Sequence, residues 1–154
     1  MRLALFQPDI PQNTGALLRF AACMGLEVDI IEPCGFILDD RRLRRAGMDY
    51  LEHAQITLHK SWDRFVDSTS RKSGRLILLT TTGELAYTDF AFKSTDVLLL
   101  GRESAGVPLE VHQTADARLL IPMTDGVRSL NVAIAASMVA GEALRQTNEF
   151  PRKP

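Results

Sequence analysis

The chain has 154 residues, and its 18 Lys and Arg against 19 Asp and Glu give a formal net charge of −1. Hydrophobic residues make up 45% and charged residues 24%, a globular composition that excludes a wholly disordered chain. The near-zero net charge excludes nucleic-acid binding by bulk positive charge but leaves a segregated basic patch open. Two cysteines, Cys23 and Cys34, are too few for a disulfide framework or a four-cysteine zinc site, and we expect reduced thiols.

The length suits a single domain, residues 1–154, that buries a hydrophobic core without a disulfide or metal. The first apolar stretch is too short for a signal peptide. No run approaches the roughly 20 apolar residues of a membrane span. We therefore expect a soluble cytoplasmic protein that needs no membrane and no metal.

Short apolar runs alternate with helical segments along the chain. Most runs are continuously apolar, which is typical of parallel strands covered on both faces. The predicted strands are residues 3–6, 28–31, 76–80, 97–100 and 117–121, with a further short candidate at 55–59. The predicted helices are residues 14–24, 39–46, 62–68, 108–114 and 129–146. This alternation predicts an α/β fold with a mainly parallel sheet flanked by helices.

Several common nucleotide and catalytic motifs are absent from the sequence. It contains no G-x-x-x-x-G-K-[ST] loop, no G-x-G-x-x-G after a strand and no serine nucleophile elbow. His53, His59 and His112 lack the spacing of metal ligands. The chemistry is therefore expected in three segments that follow predicted strands, where ligands gather in parallel sheets.

The first segment covers residues 7–15 and leads into a helix that is apolar on nearly every side. Such a helix is buried in the core or against another subunit. Arg19 is the only charged residue between Ile10 and Leu26. It either meets an anion or carboxylate in a functional role, or it reaches the surface or pairs structurally. Asn13 is either a helix cap or a polar ligand group.

The second and third segments follow the last two predicted strands. In residues 101–108, Gly101 and Gly106 allow the backbone to approach a flat ligand, unless the segment is a plain strand-to-helix turn. In residues 121–131, Ser129 is a plausible N-cap of the final helix. That helix is rich in Ala, Ser and Gly, which suits a subunit contact, a crowded ligand site or a well-packed core.

Together the three segments resemble the SPOUT superfamily of RNA methyltransferases, in its 2′-O-ribose (TrmH-like) branch. The spacing of Asn13 and Arg19 is similar to the first motif of that family, and residues 100–108 are similar to the second. Residues 121–123 followed by 129–131 are similar to the third, so the resemblance covers essentially the whole chain. Residues 6–15, 31–36 and 39–50 are most similar to minimal members that act on the tRNA wobble ribose. Residues 124–128 depart from the family pattern, in which a proline and a serine are common.

The resemblance implies a C-terminal deep trefoil knot that binds S-adenosylmethionine, and a homodimer that shares its substrate site between subunits. It implies methyl transfer to the 2′-OH of the wobble nucleotide (position 34, cytidine or modified uridine) in the anticodon stem-loop of tRNA. The cofactor-binding residues that it implies are Leu79, Gly101, Gly106, Ile121, Ser129 and Leu130.

The resemblance also assigns catalytic positions. Arg19 matches the catalytic arginine, and Asn13, Glu103, Ser129 and Asn131 match positions that order Arg19, the substrate or the cofactor. A guanidinium holds its proton tightly, so we expect Arg19 to hold a phosphate and stabilise alkoxide charge, although a role as base has been considered in the family.

The densest basic run is predicted to bind RNA, unless it is a solvated helix face; it consists of Arg41, Arg42, Arg44 and Arg45. Arg71, Lys72 and Arg75 form a looser run with the same two interpretations. Three alternatives stay open for function: the same chemistry on another tRNA or rRNA ribose, a knotted RNA-binding protein without turnover, and a small-nucleotide binder unrelated to RNA.

Overall fold

The computed structural model describes residues 1–38, residue 50 and residues 53–152. These residues form seven strands, five α-helices and a 3₁₀ turn at Tyr87–Asp89. The strands are β1 (Arg2–Phe6), β2 (Glu27–Ile31), β3 (Ile56–His59), β4 (Leu76–Leu79), β5 (Leu85–Ala86), β6 (Val97–Leu100) and β7 (Ala117–Leu120). The helices are α1 (Pro11–Met24), α2 (Trp62–Val66), α3 (Thr69–Lys72), α4 (Leu109–Thr114) and α5 (Val132–Thr147).

The strands form one sheet in the order β3-β2-β1-β6-β4-β7-β5, and every recorded pairing is parallel. This confirms the predicted parallel α/β sheet. The chain fills the β1–β2–β3 side first and then continues on the other side of β1. The loops that follow β1 and β6 therefore lie side by side at the carboxyl edge, where parallel sheets bind ligands.

Side chains alternate between two hydrophobic clusters on the opposite faces of the sheet. Leu3 and Leu5 belong to the cluster that includes α1 and α5. Ala4 and Phe6 belong to the cluster that includes Phe65 of α2. Both faces of the sheet are covered, which explains why its strands read as continuous apolar runs. The result is a layer of strands between two layers of helices.

Helix α1 starts earlier than predicted. Pro11 occupies the first turn, where its missing N–H is not needed. Gly25 ends the helix with φ of 68°, a left-handed conformation that glycine adopts without strain. Asn13 lies inside the first turn and is not the cap, so that interpretation of Asn13 was wrong.

Helix α5 starts later than predicted. Asn131, not Ser129, is its N-cap: Asn131 Oδ1 accepts hydrogen bonds from the backbone N–H groups of Ala133 (2.9 Å) and Ile134 (3.3 Å). Ser and Asn are comparable caps, so local sequence preference could not separate them. Ala136 and Ala140 are fully buried, and these small side chains let α5 pack closely on the core.

Two smaller differences have local causes. The helix predicted at 62–68 ends earlier, as α2 at Val66, and α3 follows it unpredicted because Ser68 Oγ accepts a hydrogen bond from Arg71 N and caps a new turn. Strand β5 has two residues and was not predicted. The helix predicted at 39–46 lies outside the described residues. Among the helices that are described, none is long and apolar enough to span a bilayer.

Candidate active site

A cavity of about 560 Å³ opens at the carboxyl edge of β4, β6 and β7. Its walls come from residues 79–81, 100–106 and 128–132, from Leu119, Ile121 and Met123, and from Ile10, Asn13 and Ala135. These segments include parts of all three polar segments identified in the sequence. The parallel sheet brings them together because each follows the carboxyl end of a strand or begins the helix that closes the edge.

All six residues expected to bind a cofactor line this cavity; they are Leu79, Gly101, Gly106, Ile121, Ser129 and Leu130. Gly101 is required by a close backbone approach, since a Cβ there would lie 2.8 Å from the Gly106 carbonyl carbon. Gly106 has φ of 66°, and reciprocal backbone hydrogen bonds join it to Arg102 at 2.9 and 2.8 Å. The two glycines thus form a tight turn that exposes backbone to the cavity.

Four of the five expected catalytic residues also line the cavity, and three of them form a hydrogen-bonded chain. Asn13 Nδ2 donates to Glu103 Oε1 at 3.2 Å. Asn131 Nδ2 donates to Asn13 Oδ1 at 2.9 Å. Asn131 Oδ1 in turn caps α5. Ser129, the fourth, lines the cavity without a place in this chain of bonds. One network therefore joins the three segments.

The predictions from sequence missed Asp9, which fastens the loop after β6 to the loop after β1. Asp9 N donates to Glu103 Oε2 at 3.0 Å, and Asp9 Oδ1 accepts from Glu103 N at 3.2 Å. Asp9 Oδ2 accepts from the Ser104 hydroxyl. No local signal in the sequence could have found this contact, because it depends on β1 and β6 being neighbours in the sheet.

The paired carboxyl groups have opposite pKa shifts. The contact with Glu103, followed by the hydrogen bond from Ser104, lowers the pKa of Asp9 to about 2. Burial is the largest cause that raises the pKa of Glu103, and the neighbouring Asp9 adds to it. Asp9 is therefore the carboxyl group of the pair that carries the negative charge across the acidic pH range.

Arg19 is placed differently from the other expected catalytic residues. It is exposed on α1 and does not line the cavity of its own chain. Its guanidinium carbon lies 4.8 Å from the centre of the Tyr50 ring, a cation–π contact. Among the residues that the structure describes, Arg19 has no ion pair.

The basic residues divide into several groups. Arg41, Arg42, Arg44 and Arg45, predicted to bind RNA, lie outside the described residues. Arg71 pairs with Asp116 at 3.3 Å, and Arg75 makes two bonds to Asp96 at 2.9 and 2.7 Å, so both have structural partners.

Two further arginines, Arg102 and Arg128, line the cavity and were not singled out in the sequence. Within the ranges 1–38 and 53–152, no group of three or more His, Cys, Asp or Glu residues could hold a metal ion.

Comparison with known proteins places this geometry in a family. Residues 1–141 match the SpoU rRNA Methylase family. A protein of Ancylobacter novellus named tRNA (cytidine(34)-2'-O)-methyltransferase is 56% identical over 152 residues, covering 99% of this chain and 96% of that protein. A solved structure concerned with 2-OH methylation of C/U34 on tRNA has a TM-score of 0.90 and 41% identity, covering 94% of each chain.

A third similar protein has a solved structure with AdoMet bound. An AdoMet-bound rRNA methyltransferase of Sinorhizobium meliloti has a TM-score of 0.85 and 27% identity, covering 94% of this chain and 55% of that one. Sequence match, fold and the meeting of three motif segments at one cavity agree. This chain belongs to the SpoU methylase family.

Proposed function

We propose that this protein transfers a methyl group from S-adenosylmethionine to the 2′-OH of nucleotide 34, a cytidine or modified uridine, in the anticodon stem-loop of tRNA. The choice of substrate rests on a relative with that named activity, which is 56% identical to this chain over nearly its full length. The likeness to an AdoMet-bound methyltransferase carries the choice of methyl donor. Since the proposed substrate is tRNA, we propose that this single domain acts in the cytoplasm.

The cavity fits S-adenosylmethionine in size and chemistry. Its volume of about 560 Å³ is in the range of small-molecule sites. Apolar side chains such as Leu79, Ile121 and Leu130 suit the flat adenine, and the Gly101–Gly106 turn leaves room where a side chain would intrude. The hydroxyl of Ser129, which takes no part in the hydrogen-bonded chain, suits the ribose or amino-acid part.

The residues of this chain would act by position and electrostatics. S-adenosylmethionine, when bound, supplies an electrophilic methyl group. The Asn131–Asn13–Glu103 bonds hold the three loops in one arrangement, so the ribose hydroxyl meets a preformed site. Arg19 would hold a phosphate beside the target ribose and stabilise the negative charge that develops on the ribose 2′ oxygen.

The site is proposed to be shared between two copies of the chain. Ala16, Ala133, Ile134, Ser137 and Met138 line a shallow apolar groove between α1 and α5. Ile134 is 54% exposed and Met138 40% exposed, which is unfavourable for large apolar side chains in water. Arg19 is one helical turn from Ala16 and outside its own cavity. A second copy seated on the groove would cover the apolar side chains and bring Arg19 towards the partner's cavity.

The trefoil knot is likewise proposed. In the sheet order, β7 is separated from β6 by β4. The next helix, α5, nevertheless packs on α1 and β6, so the chain must return across the sheet. The connecting residues 121–131 cross the carboxyl edge past the loops after β4 and β6, and all three line the cavity. Pulling the protein apart by both ends in an optical trap tests this. A knotted chain reaches a shorter unfolded length than an unknotted chain of 154 residues.

The decisive experiment measures labelled methyl transfer to total tRNA from cells that lack this protein. Wild type is expected to label one alkali-resistant dinucleotide that contains nucleotide 34. Arg19→Ala should lower the rate by about 100-fold or more, because a positioned charge is lost from the transition state. Arg145→Ala is the matched control, since Arg145 is exposed and pairs with Glu142 on α5.

Other outcomes would redirect the assignment. Labelling of another tRNA ribose or of rRNA would change the assigned substrate and leave the assigned reaction, 2′-O-methyl transfer, unchanged. RNA binding without turnover by wild type would favour a non-catalytic RNA-binding protein.

A further inference from the structure

Two arginines that do not line the cavity, Arg75 and Arg145, each make a pair of short contacts with one carboxylate. Arg75 reaches Asp96 at 2.9 and 2.7 Å. Arg145 reaches Glu142 at 2.8 Å through both Nε and Nη2. Each guanidinium therefore uses two donors on one carboxylate, the strongest arrangement open to arginine.

Arg102 has no such arrangement. Its Nη1 donates to Gln7 Oε1 at 3.5 Å, the limit of a hydrogen bond. Its Nε lies 3.8 Å from Asp9 Oδ2 and, although buried, makes no hydrogen bond within the described part of the chain. A buried donor without an acceptor is unfavourable, so this side chain is poorly satisfied where it lies.

The nearby carboxylate is already engaged by other donors. Asp9 accepts hydrogen bonds from Ser104 Oγ and from the backbone N–H of Glu103. Those bonds hold the loop after β6. They occupy the carboxylate, and Arg102 Nε stays 3.8 Å from Asp9 Oδ2. Arg102 can thus turn to another acceptor without undoing the loop.

The side chain of Arg102 is only partly buried and contributes to the wall of the cavity. Arg102 follows Gly101 directly, lines the cavity, and its side chain is 36% exposed. Arg128 contributes a second guanidinium to the lining from the loop before α5. The cavity therefore offers positive charge with unfilled hydrogen-bonding capacity.

We propose that Arg102 is an anion-binding residue of this cavity and holds an oxyanion of the reactants. Two such groups are available if the proposed function is right, on which this inference rests: a phosphate of the RNA and the carboxylate of S-adenosylmethionine. Both present two oxygens in the geometry that a guanidinium binds through paired hydrogen bonds.

The experiment compares wild type with Arg102→Ala and Arg102→Gln, and uses Arg145→Ala as the matched loss of one arginine away from the cavity. Binding of S-adenosylhomocysteine and of 5′-methylthioadenosine, which lacks the carboxylate, is measured by calorimetry. Binding of tRNA is measured at several salt concentrations. Arg102→Gln retains a donor for Gln7 and supplies the same comparison if the alanine variant is unstable.

Each source of the oxyanion predicts a different loss. If Arg102 holds the RNA phosphate, tRNA affinity falls about tenfold or more and its salt dependence weakens by about one ion. If Arg102 holds the carboxylate, S-adenosylhomocysteine affinity falls by a similar factor while methylthioadenosine affinity is unchanged. Arg145→Ala should alter neither.

Two results would overturn the inference. One is unchanged affinity for both tRNA and S-adenosylhomocysteine in a folded Arg102 variant. The other is an equal loss for S-adenosylhomocysteine and methylthioadenosine with tRNA binding intact, which would mean a distorted loop. A wild type that binds both reactants but transfers no methyl group would instead contradict the proposed function and leave the anion site standing.

Discussion

The side-chain nitrogen of Asn131 donates a 2.9 Å hydrogen bond to the side-chain oxygen of Asn13, a residue 118 positions earlier in the chain. The oxygen of the same Asn131 side chain caps α5. One amide group therefore both starts a helix and joins that helix to α1. Substitutions of Asn131 can remove the donor nitrogen alone or the nitrogen and the capping oxygen together.

Asn131→Ala removes both functions, whereas Asn131→Asp keeps the capping oxygen and loses the donor to Asn13. We expect the alanine variant to lose about 1 kcal/mol of unfolding free energy and the aspartate variant to retain most of it. Both should transfer methyl groups more slowly, because Asn13 loses the bond from Asn131 and keeps only the one to Glu103. Urea unfolding and single-turnover rates measure the two effects. Equal destabilisation by both substitutions would argue against the capping role.

Asp9→Asn tests the charged contact between the loops after β1 and β6. The pKa of Asp9 is lowered from 3.8 to about 2, so its ionised form stabilises the folded state above pH 3.8. That contribution is lost as pH falls through about 2. The stability gap between wild type and Asp9→Asn should therefore be widest near neutral pH and close in acid.

Acid titrations of unfolding free energy check this, with Ser104→Ala as the control that removes one hydrogen bond and no charge. A gap between wild type and Asp9→Asn that stays constant down to pH 2 would show that the Asp9 charge is not the cause.

Gly101→Ala should lower cofactor affinity with little effect on the helices. Its Cβ would lie 2.8 Å from the Gly106 carbonyl carbon, so the turn at the cavity must open. Gly141→Ala is the matched control, since nothing lies within 4 Å of its added Cβ inside α5. That substitution should stabilise the protein by about 1 kcal/mol through helix propensity. Calorimetric binding of S-adenosylhomocysteine and thermal unfolding separate the two outcomes.

Ile134→Glu tests the groove between α1 and α5 as a contact between two copies. Placing a carboxylate in an apolar contact is costly, so the variant should sediment as a monomer where wild type sediments as a dimer. Leu109→Glu is the control, because Leu109 is 71% exposed on α4, away from the groove. If Ile134→Glu sediments like wild type, the two copies meet elsewhere or not at all.

A shared site also predicts complementation between inactive chains. Arg19→Ala leaves the cavity intact, and a Gly101→Ala chain with weak cofactor binding keeps Arg19. If Arg19 serves the partner's cavity, mixed dimers contain one complete site and recover activity. If Arg19 serves its own cavity, the mixture stays inactive. Methyl transfer after the two purified variants are unfolded and refolded together decides between them.

The fold was predictable from sequence where periodicity was decisive. Continuous apolar runs indicated parallel strands, and polar segments after the strands indicated the cavity edge. The Asp9–Glu103 contact was not predictable, because it joins residues 94 positions apart and depends on which strands are neighbours. The face that Arg19 occupies was also hidden. A helix that is apolar on nearly every side carries no signal for the direction in which it is rotated.

The cavity is lined by residues as early as Ile10 and as late as Ala135. A nascent chain on the ribosome therefore has no complete cavity until α5 begins to emerge. A ligand that binds there recognises only the assembled protein, so its binding free energy adds to the stability of the whole domain. Protection from hydrogen exchange on ligand binding should accordingly spread to β1 and α5 together, and not stay confined to the loops that touch the ligand.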